Sequence, residues 1–366
     1  MTRDVAELLP STAPVALIDA EGRAVEPASV PMPAPEPLLA AYAAMVTGRR
    51  LNDQAYALVR QGRLAVYPSS HGQEACQVAA ALVLAEGDWL FPTYRDTVAV
   101  VTRGVDPVEA LTLLKGDWHS GYDPYQHLVA PQATPLATQL LHAVGVAHAA
   151  RLKGEPTVVM ALCGDGATSE GDFHEALNFA AVFAAPVVFF VQNNQYAISV
   201  PLARQSVAPS LAHKGVGYGV PGEQVDGNDA AALLAVLGEA VTQARAGAGP
   251  RLIEAHTYRM QAHTNADDAT RYRQDAEVAA WVARDPLLRL ETHLRREGAL
   301  TDAVAEQVTA EAERVAQHTR EGLNTDVPAE HADLFRHVYA EPTPQLREQQ
   351  ALVADEVARE SEVASS

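Results

Sequence analysis

Residues 157–199 read TVVMALCGDGATSEGDFHEALNFAAVFAAPVVFFVQNNQYAIS, and their pattern decides the fold. Thr157-Val158-Val159-Met160-Ala161-Leu162-Cys163 and Pro186-Val187-Val188-Phe189-Phe190-Val191 are continuous apolar runs rich in β-branched and aromatic residues, as expected of strands buried on both faces. Between them, Phe173, Ala176, Leu177, Ala180, Ala181 and Ala184 recur at helical spacing, and Asp172 with Glu175 three residues on suits a helix N-terminus. The stretch therefore predicts one βαβ unit.

A right-handed crossover of this length sets two parallel strands beside one another. Asp165 and Asn194 then emerge at carboxyl ends, where open α/β sheets bind ligands. An aspartate, an amide oxygen and a backbone carbonyl from the turn after Asn194 form a hard, all-oxygen donor set suited to Mg²⁺ that also holds phosphates. Gly164 and Gly166 let the backbone approach those phosphates with N–H groups free to donate. An isolated Gly-Asp-Gly is more often an ordinary turn. The paired Asn193-Asn194 at the matching end of the next strand favours the site.

Gly164 to Asn194 resembles the thiamin diphosphate motif, and residues 164–199 as a whole are similar to the alpha subunit of the decarboxylating first component of 2-oxo acid dehydrogenase complexes. The similarity extends from Val15-Ala16-Leu17-Ile18-Asp19 through Gly72-Gln73-Glu74-Ala75, Tyr94-Arg95-Asp96, Pro135-Leu136-Ala137-Thr138-Gln139 and Val225-Asp226-Gly227-Asn228-Asp229 to Asp333-Leu334-Phe335. The resemblance implies that Asp165, Asn194 and the Tyr196 carbonyl ligate Mg²⁺, with Gly164, Gly166 and Ala167 beside the diphosphate. It implies that Tyr94, Arg95, Arg259 and His263 contact the diphosphate side, through matches at Tyr94-Arg95 and at Tyr258-Arg259-Met260-Gln261-Ala262-His263-Thr264. Backbone groups of Thr134 and Leu136 would hold the aminopyrimidine, and Ile198 would wedge the cofactor into a bent form that brings its 4′-imino nitrogen close to C2. His263 would be the catalytic proton donor in acyl transfer to lipoamide. Thr264 stands where regulated relatives carry a phosphorylated serine. Gln261-Ala262 departs from the Gly-Pro or Gly-His that often precedes the histidine. Ala133 replaces a hydroxyl residue of members that bind K⁺, which leaves a K⁺ site open.

The chain has 366 residues, 48% of them hydrophobic and 20% charged, the composition of a globular protein with a large core. A formal net charge of −19 and a pI near 5.0 argue against nucleic acid or an anionic membrane as partner. Cys76 and Cys163, the two cysteines, both lie in apolar surroundings and read as buried reduced thiols of a cytoplasmic protein. Acidic residues near the N-terminus and the lack of a long uncharged apolar run predict no export signal and no membrane span.

These signals predict an α/β fold with a doubly wound, mostly parallel sheet and helices on both faces. Residues 1–40, with Pro10, Pro14, Pro27, Pro31, Pro33, Pro35 and Pro37, read as an extended arm lying across a partner or the chain's own body. Residues 41–270 carry the cofactor-binding α/β domain. A helix is expected from Leu38, others near 74–85, 136–152 closed by Gly154, and 229–246, with a strand over 252–257. Residues 271–366 read as helical, with an acidic tail beyond Gln350. Lys214 to Gly222 is glycine-rich, but Pro221 and Gly222 prevent it from opening a helix. It is read as a loop, and NAD is rejected as a cofactor.

A diphosphate with one Mg²⁺ and one aspartate still carries negative charge, which arginines must neutralise. Arg95 follows the apolar Trp89-Leu90-Phe91 run, and Arg259 and His263 follow the strand that ends near His256. Each by itself reads as a surface arginine or solvated histidine; only their context selects them. Thiamin diphosphate enzymes need a glutamate on a second α/β domain, and 366 residues with a helical C-terminal third leave little room for one. The resemblance thus implies an alpha subunit in an α2β2 tetramer with a beta subunit, acting on a branched-chain 2-oxo acid, 3-methyl-2-oxobutanoate, and on the lipoyl domain of a dihydrolipoyl acyltransferase. Pyruvate-specific or acetoin-specific relatives, and a cofactor-free structural homologue, are the competing readings. The polar loop from Gln261 to Arg273 is expected to be mobile until cofactor binds, with Asp267 and Asp268 pairing Arg271 or Arg273.

Overall fold

In the computed structural model, which describes residues 4–26, 30–116, 120–324 and 330–364, Val159–Gly164 and Val187–Asn193 are adjacent parallel strands. They belong to a five-stranded, all-parallel sheet. Its strands are β1 (Trp89–Phe91), β2 (Val159–Gly164), β3 (Val187–Asn193), β6 (Gly222–Asp226) and β7 (Arg251–His256), in the order β1-β2-β3-β7-β6. Between β3 and β6, Tyr196–Ala197 (β4) and Val200–Pro201 (β5) form a small antiparallel hairpin.

Alternation along each strand sends side chains to two separate cores. Met160, Leu162, Val188, Phe190 and Ile253 pack on one side with helices α1 (Pro35–Arg60), α2 (Glu74–Leu82) and α3 (Thr97–Thr102), and with Ala230–Gln243 later in the chain. Val159, Ala161, Cys163, Val187, Phe189 and Val191 pack on the other with Thr138–Lys153 and Gly171–Phe183. Both faces are therefore covered, and the fold is the doubly wound α/β architecture that the uninterrupted apolar strands require. Both cysteines are buried and free. No helix among the described residues is long and apolar enough to cross a membrane.

Contacts group residues 1–322 into one compact unit and 323–366 into another. The second holds the helices Asp333–Arg336 and Pro344–Ala364, so the segment beyond Gln350 is helical as far as Ala364.

Local chemistry accounts for several element ends. The helix expected from Leu38 opens at Pro35, because prolines in a first turn lack only an N–H that would have no partner there. Gly154 closes Thr138–Lys153 in the left-handed conformation at φ 73°. Two expectations need correction. Asp172 is not a cap: the helix starts at Gly171, and the Asp172 carboxylate instead accepts from Thr138 Oγ1 at 2.9 Å, tying two helix starts together. The glycine-rich segment is also not simply a loop. A 3-10 stretch, Leu211–Tyr218, ends in left-handed Gly219, and strand β6 begins at Gly222. Its sequence, Gly-Glu-Gln-Val-Asp, has too little apolar content to signal a strand. No strand leads directly into the glycines, which agrees with the rejection of a dinucleotide fingerprint.

The N-terminal arm covers the edge of β6. Val15 N–H donates to the Gln224 carbonyl and Asp226 N–H to the Val15 carbonyl, each at 2.9 Å, so the arm lies on the chain's own body at this point; Pro27 falls outside the described residues. Asp229 fastens it. One carboxylate oxygen accepts from the N–H groups of Leu17 and Ile18 at 2.7 Å, and the other caps Ala230–Gln243 through Ala231 and Ala232. Replacing Asp229 by Ala orphans four buried donors, and is expected to destabilise the protein by about 3 kcal/mol. A denaturation midpoint equal to wild type would contradict this account.

Candidate functional site

The pairing of Gly164 with Gln192, and of Asn193 and Asp226 with His256, ends strands β2, β3, β7 and β6 at one level. A cavity of about 610 Å³ opens above these carboxyl ends. Tyr94, Arg95, Thr134, Leu136, Gly164, Asp165, Gly166, Ala167, Asn194, Tyr196, Ile198, Arg259 and His263 all line it. Segments separated by more than 160 residues thus meet in one place, which periodicity alone does not dictate.

Three oxygens converge on its floor. Asn194 Oδ1 lies 3.2 Å from Asp165 Oδ1 and 3.0 Å from the Tyr196 carbonyl oxygen. Oxygens this close repel one another unless a proton or a cation lies between them. Burial raises the Asp165 pKa, against the lowering effect of its hydrogen bond from Gln205. A small divalent cation would compensate both effects, and one carboxylate with two neutral oxygens is the kind of protein set that Mg²⁺ uses when phosphates complete its shell. The residues fit that ion. Gly166 has a steric reason as well: a Cβ there would stand 2.8 Å from that of Ala197, so only glycine lets the hairpin close over the floor. A Cβ on Gly164 would meet nothing.

Two guanidinium groups form the wall. Arg95 is buried and donates to the carbonyls of Ser69 and His263 at 2.9 and 3.1 Å. Arg259 is buried too, and donates to the carbonyl of Ile198 at 2.8 Å and the Tyr272 hydroxyl at 3.0 Å. Neither makes an ion pair among the described residues. Burial and the charge of Arg95 both lower the Arg259 pKa. Two buried cations without carboxylate partners leave a positive field that an anion would neutralise. A diphosphate fits that field.

Ile198 stands at the tip of the β4–β5 hairpin at φ 55°, with its side chain 55% exposed. A β-branched residue in the left-handed region costs about 1–3 kcal/mol. The Arg259 bond to the Ile198 carbonyl holds it there, with the side chain at the cavity wall.

The dehydrogenase E1 component family matches residues 42–327. This chain belongs to that family. The family's enzymes are thiamin diphosphate-dependent 2-oxo acid dehydrogenases, and the E1 chain described here is one of their subunits. It is 49% identical over 318 residues, 87% of each chain, to the 3-methyl-2-oxobutanoate dehydrogenase subunit alpha of Mycobacterium tuberculosis. It is 40% identical over 286 residues, 78% of this chain and 77% of the relative, to the pyruvate dehydrogenase E1 component subunit alpha of Staphylococcus aureus. The corresponding subunit of Acholeplasma laidlawii is 38% identical over 338 residues, 90% and 96% of the two chains.

Several lining residues of this E1 chain escaped the sequence reading. Gln73, Asp96 and Gln192 lie behind the oxygen triad, and Gln205 reaches Asp165 from the turn after β5. Buried polar side chains beside a motif could have signalled them, but burial is not visible in one sequence. The Leu136 carbonyl already accepts from Gln139 Nε2 at 3.2 Å, which fixes the turn that Leu136 and Thr134 bring to the cavity. The loop charges have other partners here. His263 N–H and the Tyr272 hydroxyl turn Asp267 inward, Asp268 caps Thr270, and Arg273 is held by the carbonyls of Arg259 and Met260.

His263 Nδ1 lies 3.0 Å from Arg95 Nη2 and 3.3 Å from Arg259 Nη1. Both neighbours only donate, so Nδ1 accepts and the ring proton sits on Nε2. The Tyr94 ring packs edge-on against the imidazole, 6.1 Å between centroids. Burial first, then Arg95 and Arg259, lower the His263 pKa to about 4. Its folded value lies below its unfolded one, so the unfolded chain takes up the proton first, and stability falls as pH drops from 6.5 towards 4. Imidazole nitrogen shifts in the cofactor-free protein are expected to report a neutral Nε2–H ring between pH 5 and 8. A midpoint near 6.5 would contradict the two-arginine environment.

Proposed function

We propose that this chain is the alpha subunit of a branched-chain 2-oxo acid dehydrogenase, acting on 3-methyl-2-oxobutanoate with thiamin diphosphate and Mg²⁺ and passing the acyl group to a lipoyl domain of a dihydrolipoyl acyltransferase. The observation that carries the reading is the pairing, in one cavity, of the Asp165–Asn194–Tyr196 oxygen triad with two buried arginines that lack carboxylate partners among the described residues. Cation site and anion site side by side are what a metal diphosphate requires.

When bound, thiamin diphosphate supplies a nucleophilic carbon and an electron sink for loss of CO₂ from a 2-oxo acid. The chain's residues do the rest. Asp165, Asn194 and the Tyr196 carbonyl hold the metal, while Arg95 and Arg259 take the diphosphate charge. Gly166 and Ala167 line the same cavity and would offer their N–H groups to the diphosphate. Ile198, fixed in its left-handed conformation, would supply a rigid apolar surface to the cofactor, and Thr134 and Leu136, which line the same cavity, would offer it backbone groups. His263, neutral with Nδ1 engaged, would present Nε2–H as a hydrogen-bond donor, and it would give a proton to the lipoyl sulfur in reductive acylation only as the imidazolium, which diphosphate charge beside Arg95 and Arg259 would favour.

Residues 41–270 are taken as the cofactor-binding domain, between the 1–40 arm and the helical 271–366 region. A beta subunit in an α2β2 tetramer supplies the glutamate that this single sheet lacks. Buried reduced thiols suit a cytoplasmic location. The proposal does not extend to K⁺, because Ala133 offers no hydroxyl. Identity to the Mycobacterium tuberculosis subunit exceeds that to the pyruvate enzymes, which favours the branched-chain substrate. Pyruvate is the second reading, supported by the relatives that bear that name.

On the assembled tetramer, kcat/KM for 3-methyl-2-oxobutanoate is expected to exceed that for pyruvate by at least about tenfold, about 1.4 kcal/mol in the barrier. The reverse order would replace the substrate assignment. Asp165→Ala removes the only anionic ligand of the triad and is expected to abolish retention of thiamin diphosphate in Mg²⁺. Equal cofactor affinity in mutant and wild type, by calorimetry, would remove the metal assignment.

A further inference from the structure

Behind the oxygen triad runs a buried chain of three amides that ends on a carboxylate. Asp96 Oδ2 accepts from the Thr93 N–H and hydroxyl, both at 2.7 Å. Asp96 Oδ1 accepts from Gln192 Nε2 at 2.7 Å. Gln192 Oε1 accepts from Gln73 Nε2 at 3.3 Å, and Gln73 Oε1 accepts from Asn194 Nδ2 at 3.1 Å. All four side chains are more than nine-tenths buried.

A primary amide donates from one end and accepts at the other, so fixing one member fixes the next. Asp96 fixes the first. Its Oδ2 is committed to Thr93, and its Oδ1, held as an acceptor, requires a nitrogen from Gln192. That places Gln192 oxygen toward Gln73, Gln73 oxygen toward Asn194, and Asn194 oxygen toward Asp165 and Tyr196. Turning Asn194 over would bring its nitrogen to 3.2 Å from Asp165 Oδ1 and 3.0 Å from the Tyr196 carbonyl, making two hydrogen bonds and destroying the metal ligand. Its oxygen would then oppose Gln73 Oε1 at 3.1 Å. Turning all three amides would only move that clash to Asp96. Two buried acceptors facing each other are costly wherever along the chain the clash is placed.

We propose that Asp96 is a positioning residue for the metal: through Gln192 and Gln73 it holds the Asn194 carbonyl oxygen, and not its NH₂, toward the cation. This rests on the metal assignment of the proposed function, and Asp96 acts without touching metal or cofactor.

The test measures Mn²⁺ affinity by electron paramagnetic resonance, on the full chain assembled with its beta subunit and saturated with thiamin diphosphate. Asp96→Asn keeps an oxygen for Thr93 but presents NH₂ to Gln192, so the relay reverses and turns the Asn194 amide over. Mn²⁺ affinity is expected to fall at least about tenfold. Adding Asn194→Asp to Asp96→Asn restores a complete relay of opposite polarity, because the new carboxylate accepts from Gln73 and both its oxygens are acceptors. Affinity is expected to return to within about threefold of wild type. Because an added carboxylate strengthens Mn²⁺ binding by itself, the reference is Asn194→Asp alone: if Asp96 merely held the Thr93 turn, Asp96→Asn would weaken binding as much in that background as in the wild type. Gln192→Met cuts the relay while leaving Asp96 and Thr93 in place, and should also weaken Mn²⁺ binding, which keeps the test decisive if Asp96→Asn fails to fold. Wild-type affinity in Asp96→Asn or in Gln192→Met, or as large a loss from Asp96→Asn in the Asn194→Asp background as in the wild type, overturns the relay while the metal site stands. Failure of the wild type itself to bind Mn²⁺ overturns the metal assignment and this inference with it.

Discussion

Everything at the site depends on parallel strands that stop at the same level. Hydrogen-bonded register carries Gly164 beside Gln192 and Asn193 beside His256, so the residues just past each strand have no sheet partner and turn into the same space. Those turns carry Asp165, Asn194 and, after Thr257 and Tyr258, Arg259. A shift by one residue would reverse the faces of an entire strand. The two-sided apolar cores make that shift prohibitively costly, because Met160, Leu162, Val188 and Phe190 fill one core while Val159, Ala161, Phe189 and Val191 fill the other.

On this rigid floor the molecule concentrates features that folding alone would avoid. Three oxygens meet with no proton between two of the contacts, two guanidinium groups are buried without a carboxylate partner among the described residues, and a β-branched residue occupies the left-handed region. Each raises the free energy of the folded chain. Their coincidence in one cavity marks where function overrides stability. Arg259 links them, since its guanidinium donates to the carbonyl of Ile198 and also approaches the Tyr196 carbonyl at 3.4 Å. The positively charged wall thereby fixes the hairpin that completes the floor.

His263 shows how neighbours, more than residue type, set chemistry. A histidine in a polar loop titrates near neutrality. Here two arginines donate to the same nitrogen, which selects the tautomer and keeps the ring neutral. The loop is anchored by polar contacts, Asp267 to the His263 N–H and Asn265 to the Tyr67 N–H. Those contacts account for its shape, where the sequence suggested pairing between loop charges.

Strand β2, strand β3 and the helix between them were legible from residue pattern, because continuous apolar runs and helical spacing are local properties. So was the pairing of Asp165 with Asn194, since a βαβ unit leaves little freedom in where its strand ends lie. Strand β6 was not legible: its place comes from backbone bonds to β7 and the N-terminal arm, and its own side chains are mostly polar. The Asp96–Gln192–Gln73 chain was equally hidden, because its three members are ordinary polar residues until burial removes water and makes hydrogen-bond direction binding on each of them. Sequence determined which groups could meet a metal and a diphosphate. Tertiary structure decided which way the amides face, because Gln192 is held by Asp96 and Asn194 by Gln73, partners more than 90 residues away in the chain.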